Sequence, residues 1–178
     1  MINRIIRALK LDVSLYNEVE HDASYDNEAY IIVAIAAVLS GIGGGFKLNM
    51  SGGSHMGFSL VSAIIAIVLA FVAYLVTSYI VFYIGTKFFE GEATYGEMRR
   101  TLGYAYAANF ISIIPCIGIL AIPWSIATYF IATREGLDVD NGKAALTVII
   151  SWAVWLVIAI ILGVLGIGAG LGMAALGS

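Results

Sequence analysis

The chain has 178 residues, of which 61% are hydrophobic and only 12% are charged, and its formal net charge is −3. A soluble domain of this length carries far more charge on its surface, so this composition excludes a soluble globular protein. The length allows four to six membrane spans of roughly 20 residues each. We therefore predict an all-α, polytopic transmembrane helical bundle.

The first predicted element is an amphipathic helix over residues 2–20. Apolar residues recur there at helical spacing, and Arg4, Arg7 and Lys10 lie on the rest of the helical wheel. Two interpretations are open: a helix lying on the membrane surface with its bases near lipid phosphates, or a solvated helix packed on the bundle. No apolar core follows the bases, so we expect no cleaved signal peptide.

An acidic stretch completes the N-terminal segment, which we place at residues 1–28 on the cytoplasmic side. Glu18, Glu20 and Asp22 belong to this stretch. Its carboxylates could bind a basic partner or a divalent cation, but a solvated acidic collar is the favoured interpretation. Together with Arg4 and the other bases, these acids are our candidate partner-binding residues, in full Arg4, Arg7, Lys10, Glu18, Glu20 and Asp22.

The remaining chain, residues 29–178, is predicted to form the transmembrane bundle. Apolar runs at 29–46 and 58–86 are the first two spans. Thr94 and Glu97 then match a capping box, in which the two side chains satisfy free backbone N–H groups at a helix start. This pattern predicts a new helix that begins near Tyr95.

Residues 102–132 form an uncharged stretch that contains Pro115 and Pro123. A single helix of that length would measure ~46 Å, which exceeds the hydrocarbon thickness of a bilayer. The prolines and the glycine at 118 favour a break, so we predict two short spans, 101–115 and 118–133, that form a hairpin. The last span is predicted at 144–170.

The distribution of basic residues supports five spans. With a cytoplasmic N-terminus and five spans, eight of the nine Lys and Arg residues lie inside, and only Lys47 lies outside. The positive-inside rule favours this topology over one with four spans. The C-terminus is then expected outside.

The predicted spans contain no Asp, Glu, Lys, Arg or His. This argues against a carrier that is coupled to protons or sodium through a carboxylate in the membrane. His21 and His55 fall on opposite sides in this topology, and no phosphate-binding loop, serine elbow or paired-histidine motif occurs. We expect no enzyme activity, cofactor, metal site or nucleic-acid partner.

Polar and small residues in the spans are the remaining candidates. Asn109 is the most polar group deep in the third span, and Tyr104, Pro115 and Pro123 complete our set of candidate intramembrane functional residues. Stripes of small residues in the second and last spans allow close helix packing. They are consistent with packing within one chain or with a homo-oligomer.

Three segments resemble the Yip (Ypt-interacting protein) family of five-span membrane proteins. The resemblance rests on Tyr95-Gly96-Glu97-Met98 through Gly103-Tyr104-Ala105-Tyr106, on Leu9-Lys10-Leu11-Asp12-Val13-Ser14-Leu15-Tyr16, and on Arg134-Glu135-Gly136-Leu137 with Lys143-Ala144. The last two are similar to the short prokaryotic branch. The resemblance implies five spans with a cytoplasmic N-terminus, and eukaryotic members associate with Rab-type GTPases.

Two departures from the eukaryotic pattern favour a bacterial or archaeal plasma membrane over a Rab-linked compartment. The segment Asp26-Asn27-Glu28-Ala29-Tyr30 lacks the Gly-Pro of the eukaryotic signature, and Ala108 stands where a proline often follows.

Our leading hypothesis is a membrane-organising or partner-binding adaptor with a protein partner at its cytoplasmic face. The alternative is a transporter or channel for a small or apolar solute, and a lipid-modifying enzyme is the least favoured.

Overall fold

The computed structural model describes residues 1–48, 56–58, 60–113 and 118–176. Helices dominate these residues, and the all-α prediction is confirmed apart from one short antiparallel ribbon that pairs Phe46 with Phe58. In chain order the α-helices are α1 Ile2–Leu9, α2 Val13–His21, α3 Asp26–Gly45, α4 Leu60–Phe88, α5 Tyr95–Ala105, α6 Gly118–Glu135 and α7 Asn141–Leu176. Two 3-10 helices, Ala23–Tyr25 and Tyr106–Ile113, and the strands β1 Phe46–Leu48 and β2 Met56–Phe58 complete the elements.

The N-terminal region forms two helices rather than the single helix predicted over residues 2–20. Leu11 adopts a left-handed backbone conformation with φ of 59°, which separates α1 from α2. Asp12 then caps α2 by accepting a hydrogen bond from the Ser14 backbone N–H at 3.0 Å. The apolar periodicity continues across this turn, so the pattern alone did not reveal the break.

Both N-terminal helices pack on the bundle. α1 contacts α5 and the 3-10 helix Tyr106–Ile113, whereas α2 contacts α5 and α6. Leu15, Tyr16 and Val19 of α2 are fully buried. Ile2 and Ile6 of α1 remain exposed. Packing on the bundle is therefore the interpretation that the structure supports for α2, and α1 keeps an uncovered apolar side.

The centre of the bundle is built around α5. α3 packs along α4, α5 contacts both of them, and α7 packs on α4 and α6. At the crossing of α3 and α5, a Cβ atom added to Gly103 would lie 2.9 Å from the Cβ of Ala29. Only glycine allows this separation between the helices.

The predicted capping box at the start of α5 is confirmed. The Glu97 backbone N–H donates to the Thr94 hydroxyl oxygen at 3.3 Å, and the Thr94 backbone N–H donates to the Glu97 carboxylate at 2.6 Å. The chain after the capping box folds back on itself, because α5 contacts α6 and Gly136, directly after α6, lies against Thr101 of α5. That residues 101–115 and 118–133 form two membrane spans stays a prediction. The predicted break at Pro115 lies outside the described residues.

Two helices expose long apolar surfaces. Among the described residues, Ala63–Phe88 and Asn141–Gly166 are long and apolar enough to cross a membrane, with mean hydropathies of 2.6 and 2.8. Only 22% and 11% of these segments is buried inside the protein. Exposed apolar surface of this extent needs lipid to cover it. Crossing by the other three predicted spans stays a prediction.

Because α3 and α5 approach closely at Gly103, we expect a larger side chain at this position to destabilise the protein. Gly103→Ala should lower the stability of the folded protein by about 1–3 kcal/mol, because α3 and α5 must move apart to admit the methyl group. Thermal unfolding in detergent measures this loss. Gly163→Ala is the matched control, since nothing lies within 4 Å of a Cβ atom at that position. Equal midpoints for the two variants would contradict the proposed close packing.

Candidate functional site

Arg100 is the central charged side chain at one end of the bundle. It lies on α5 with only 6% of its surface exposed. Its guanidinium donates to the backbone carbonyl oxygens of Val19, at 2.9 Å, and Glu20, and it contacts the Asp26 carboxylate at 3.3 Å. The C-terminal carbonyls of α2, which have no partner within that helix, are thereby satisfied. One side chain thus joins α2, α3 and α5.

Arg99 extends this contact on the other side of Asp26. Its guanidinium lies 2.9 Å from the Asp26 carboxylate and stacks over the Tyr30 ring at 4.7 Å. Its backbone carbonyl accepts a hydrogen bond of 2.7 Å from the Tyr74 hydroxyl. The start of α3 is therefore held to α5 by ion pairs and a cation–π contact.

Arg4 of α1 forms a two-point ion pair with Glu28 of α3. Its Nε donates to one carboxylate oxygen at 2.9 Å, and a terminal nitrogen donates to the other. The guanidinium holds the pKa of Glu28 down to about 2. Tyr104 is fully buried beside this pair and contributes to the low pKa of Glu28, although its hydroxyl lies outside hydrogen-bonding geometry.

Arg7 connects α1 to α2. Its guanidinium donates to the Asp12 and Glu18 carboxylates, both at 2.7 Å. The hydrogen bond from Arg7 lowers the pKa of Glu18, and the Tyr25 hydroxyl, which donates to Glu18 at 3.0 Å, adds to this effect. Arg4, Arg7 and Glu18 thus have partners inside the chain, which argues against their direct use in binding another molecule.

Glu20 has a different environment from its neighbour Glu18. Its side chain is only 3% exposed, and its Oε2 atom has no hydrogen-bond partner among the described residues. Burial raises the pKa of Glu20 to about 7. The carboxylates of Asp138, Glu97 and Glu135 raise it further, while His21, whose Nδ1 lies 3.7 Å away, opposes them.

Three turns at this end of the bundle expose carboxylates, which we call the acidic face. Glu92 donates its backbone N–H to the Leu137 carbonyl at 2.9 Å, which joins two of the turns. Lys143 lies 3.1 Å from Glu90 at the rim. The acidic face consists of Asp22, Glu90, Glu92, Asp138 and Asp140, which are all exposed.

The candidate residues divide according to their exposure. Lys10 and Asp22 are exposed, and Asp22 also caps the first 3-10 helix by accepting from the Ser24 N–H at 2.8 Å.

Sequence reasoning missed the roles of Arg99 and Arg100, because the positive-inside rule counts arginines without showing which of them are buried. In the described part of the chain, no group of three or more His, Cys, Asp or Glu side chains is placed to hold a metal ion.

Three of the four predicted intramembrane residues, Tyr104, Asn109 and Pro123, belong to the described part of the chain. Asn109 is half-buried on the second 3-10 helix and lines a cavity of about 480 Å³. Pro123 is exposed, and α6 continues through it from Gly118 to Glu135. Tyr104 lies beside Arg4 and Glu28. Pro115 lies outside the described residues.

Comparison with known protein families identifies the chain. The Yip1 domain matches residues 25–170, which is most of its length. The chain belongs to the Yip1 domain family. No curated protein and no solved structure matches it. The family membership confirms the resemblance inferred from the sequence, and with the apolar helices it identifies a membrane protein.

The residues that carried the resemblance are packing positions in this Yip1 domain. Gly103 contacts α3, and the Tyr106 ring meets the Tyr74 ring edge-on at 5.2 Å between centroids. Gly136 lies against Thr101, where a Cβ atom would clash with the hydroxyl, and Leu137 is fully buried. The motifs therefore fix how α5 and α6 pack against their neighbours.

The contacts of Arg100 with the end of α2 allow a prediction about the local stability of that helix. Arg100→Met keeps much of the side-chain volume but leaves the Val19 and Glu20 carbonyls without their charged donor, which costs about 1.5–3 kcal/mol. Hydrogen exchange of the α2 amides should accelerate by about tenfold or more. Lys143→Met is the control, because its ion pair with Glu90 is exposed and such pairs contribute little. Unchanged exchange in Arg100→Met would show that α2 is held by apolar packing alone.

From the raised pKa of Glu20 we expect the free energy of unfolding to fall as pH rises. The folded pKa of Glu20, about 7, lies above the ordinary value of 4.5, so the folded state is favoured by protonation and is destabilised progressively between about pH 4.5 and 7. Glu20→Gln should raise stability at pH 8 by about 2–3 kcal/mol relative to its effect at pH 5. Thermal unfolding across this pH range measures the difference.

Glu18→Gln is the matched control for Glu20→Gln. The pKa of Glu18 is lowered by Arg7, so its carboxylate stabilises the fold at neutral pH and this contribution is lost as pH falls. Its substitution should therefore destabilise the protein at pH 8, with the opposite sign to Glu20→Gln. The same sign for both variants would refute the assigned environments.

Proposed function

We propose that this Yip1 domain protein is a non-enzymatic membrane adaptor that presents the acidic face to a basic region of a protein partner. One observation carries the proposal. Five exposed carboxylates lie on three turns: one follows the end of α2 that Arg100 holds, and the other two are joined by the hydrogen bond from the Glu92 N–H to the Leu137 carbonyl. The charges therefore have a fixed arrangement before any partner binds. A preformed surface loses little conformational entropy on association.

The proposed topology places the acidic face in the cytoplasm. It has five spans, a cytoplasmic N-terminus and a C-terminus outside, in a bacterial or archaeal plasma membrane. The distribution of Lys and Arg supports it, because all but Lys47 then lie inside. With all twelve Asp and Glu on the same side, the cytoplasmic surface is acidic overall. A basic partner is favoured for that reason.

The partner-binding residues proposed from the sequence are revised accordingly. Asp22 stays in the proposed surface, whereas Arg4, Arg7 and Glu18 hold the N-terminal helices together through ion pairs. Deleting the N-terminal helices would also expose Arg100 and the core. Substitutions that leave the fold intact therefore test the proposal better than truncation.

The triple substitution Asp22→Asn, Asp138→Asn and Asp140→Asn removes three charges from the acidic face and preserves local structure. Asparagine caps helices about as well as aspartate at positions 22 and 140. It also tolerates the left-handed conformation of Asp138, whose φ is 51°. Lys10→Gln is the control, since it changes an exposed charge on α1 outside the acidic face.

The experiment is crosslinking in native membranes followed by purification in mild detergent and identification of retained proteins. We expect a near-stoichiometric basic partner with the wild type and with Lys10→Gln, but not with the triple variant. Added salt should weaken the complex, because exposed charges are screened. A partner retained equally by the triple variant would refute the acidic face as its binding surface. Recovery of no partner from any sample would refute the adaptor proposal.

A further inference from the structure

Glu20 is a buried carboxylate that the proposed function does not use. Its side chain is 3% exposed, and its Oε2 atom has no hydrogen-bond donor among the described residues. In that part of the chain, the one basic group within 4 Å of this atom is the His21 imidazole, at 3.7 Å. The His21 Nδ1–H donates to the Asn17 carbonyl at 3.0 Å and not to Glu20. A buried carboxylate without a donor is favoured in its protonated form.

The elements that pack on α2 are α1, α5, α6 and the 3-10 helix Ala23–Tyr25. The 3-10 helix carries no base. The basic side chains near α2 on the other three elements bind other acids or backbone oxygens: Arg7 of α1 binds Glu18, Arg100 of α5 binds the carbonyls of Val19 and Glu20, and Arg134 of α6 binds Glu135. The Glu20 carboxylate is therefore left without an arginine partner.

The remaining charged neighbours of Glu20 are mostly carboxylates. Glu97 lies on α5, Glu135 ends α6, and Asp138 follows in the next turn. Their charges disfavour the ionised form of Glu20, and Asp138 contributes the most of the three. Asp138 belongs to the acidic face, and Asp22, another member, directly follows α2. The protonation of Glu20 is therefore coupled to the charge of the acidic face.

We propose that Glu20 is a proton-binding site that regulates the acidic face, and that a basic partner bound beside Asp138 displaces the Glu20 proton. A cationic side chain near Asp138 offsets the negative field at Glu20, so the ionised carboxylate becomes less costly. Because linkage is reciprocal, loss of the proton strengthens association. Binding should therefore tighten as pH rises through the Glu20 pKa of about 7. The inference rests on the proposed partner-binding function of the acidic face.

Calorimetric titration of the full-length protein, in mild detergent at low salt, tests this link. The probe is hexalysine with an acetylated N-terminus and an amidated C-terminus, whose charge stays constant between about pH 5 and pH 8. We expect binding to be about three- to tenfold tighter at pH 8 than at pH 5. At about pH 7, titrations in two buffers of different ionisation enthalpy should show that binding releases a fraction of a proton.

Glu20→Gln keeps the size of the side chain and cannot ionise. It should bind hexalysine about as the wild type does at pH 5, and it should lose most of the pH dependence and of the proton release. Glu18→Gln is the matched control on the same helix. Glu18 is paired with Arg7, which lowers its pKa, so it stays ionised across this range and its substitution should keep the pH dependence.

His21→Gln separates a second titrating group from Glu20. His21 is exposed, and its hydrogen bond to the Asn17 carbonyl raises its pKa. Its loss of positive charge with rising pH would act on a basic probe in the same direction as ionisation of Glu20. We expect His21→Gln to retain most of the pH dependence and of the proton release.

Three outcomes would overturn the proposal. Loss of the pH dependence in His21→Gln but not in Glu20→Gln would assign the proton to the imidazole. Equal affinity at both pH values, or tighter binding at pH 5, would show that ionised Glu20 does not favour association. No binding at any pH would refute the acidic face and this inference with it. Binding that is independent of pH but lost in the acidic-face triple variant would refute this inference alone, so the two failures are distinguishable.

Discussion

The buried guanidinium of Arg100 is the interaction on which the polar end of this protein depends. A buried charge is costly unless its donors are satisfied, and here they are satisfied by two backbone carbonyls of α2 and the Asp26 carboxylate. These acceptors belong to α2 and to the start of α3. If either helix separated from α5, the Arg100 guanidinium would lose hydrogen-bond acceptors. The N-terminal helices are thus part of the fold rather than an attached tail.

This constraint divides the charged residues of the polar end into two groups. Acids that face an arginine, such as Glu28 and Glu18, are stabilised as carboxylates and hold α1 and α2 in place. Glu20 lies on α2 with Glu18, but burial, together with the neighbouring carboxylates, raises its pKa to about 7. The two glutamates make opposite contributions to the pH dependence of stability, although they are only two positions apart.

The sequence predicted the helices well and the contacts between charges poorly. Apolar runs, the capping box at Thr94 and the long uncharged stretch located α3 to α7, since each depends on local pattern. The turn at Leu11 escaped prediction because the apolar spacing continues across it. The buried state of Arg100 depends on α2 folding back onto α5, about 80 residues apart in the chain, and no local pattern encodes that contact. The sequence likewise identified Asn109 as a polar residue in an apolar run, but it could not predict the cavity, because the cavity is formed by residues of different helices.

α1 connects the polar end of the bundle to the cavity beside Asn109. α1 contacts both regions: Arg4 binds Glu28 near the buried arginines, and the Leu9 carbonyl accepts from Trp124 on the helix that lines the cavity. A change in the packing of α6 would therefore act on α1 and, through Arg7, on α2. Because Asp22 of the acidic face directly follows α2, α6 and the acidic face are connected by one continuous chain of contacts. Such a connection requires two discrete arrangements of α1 to become regulatory. The arrangement described here is held by the Arg4–Glu28 pair and leaves Ile2 and Ile6 exposed.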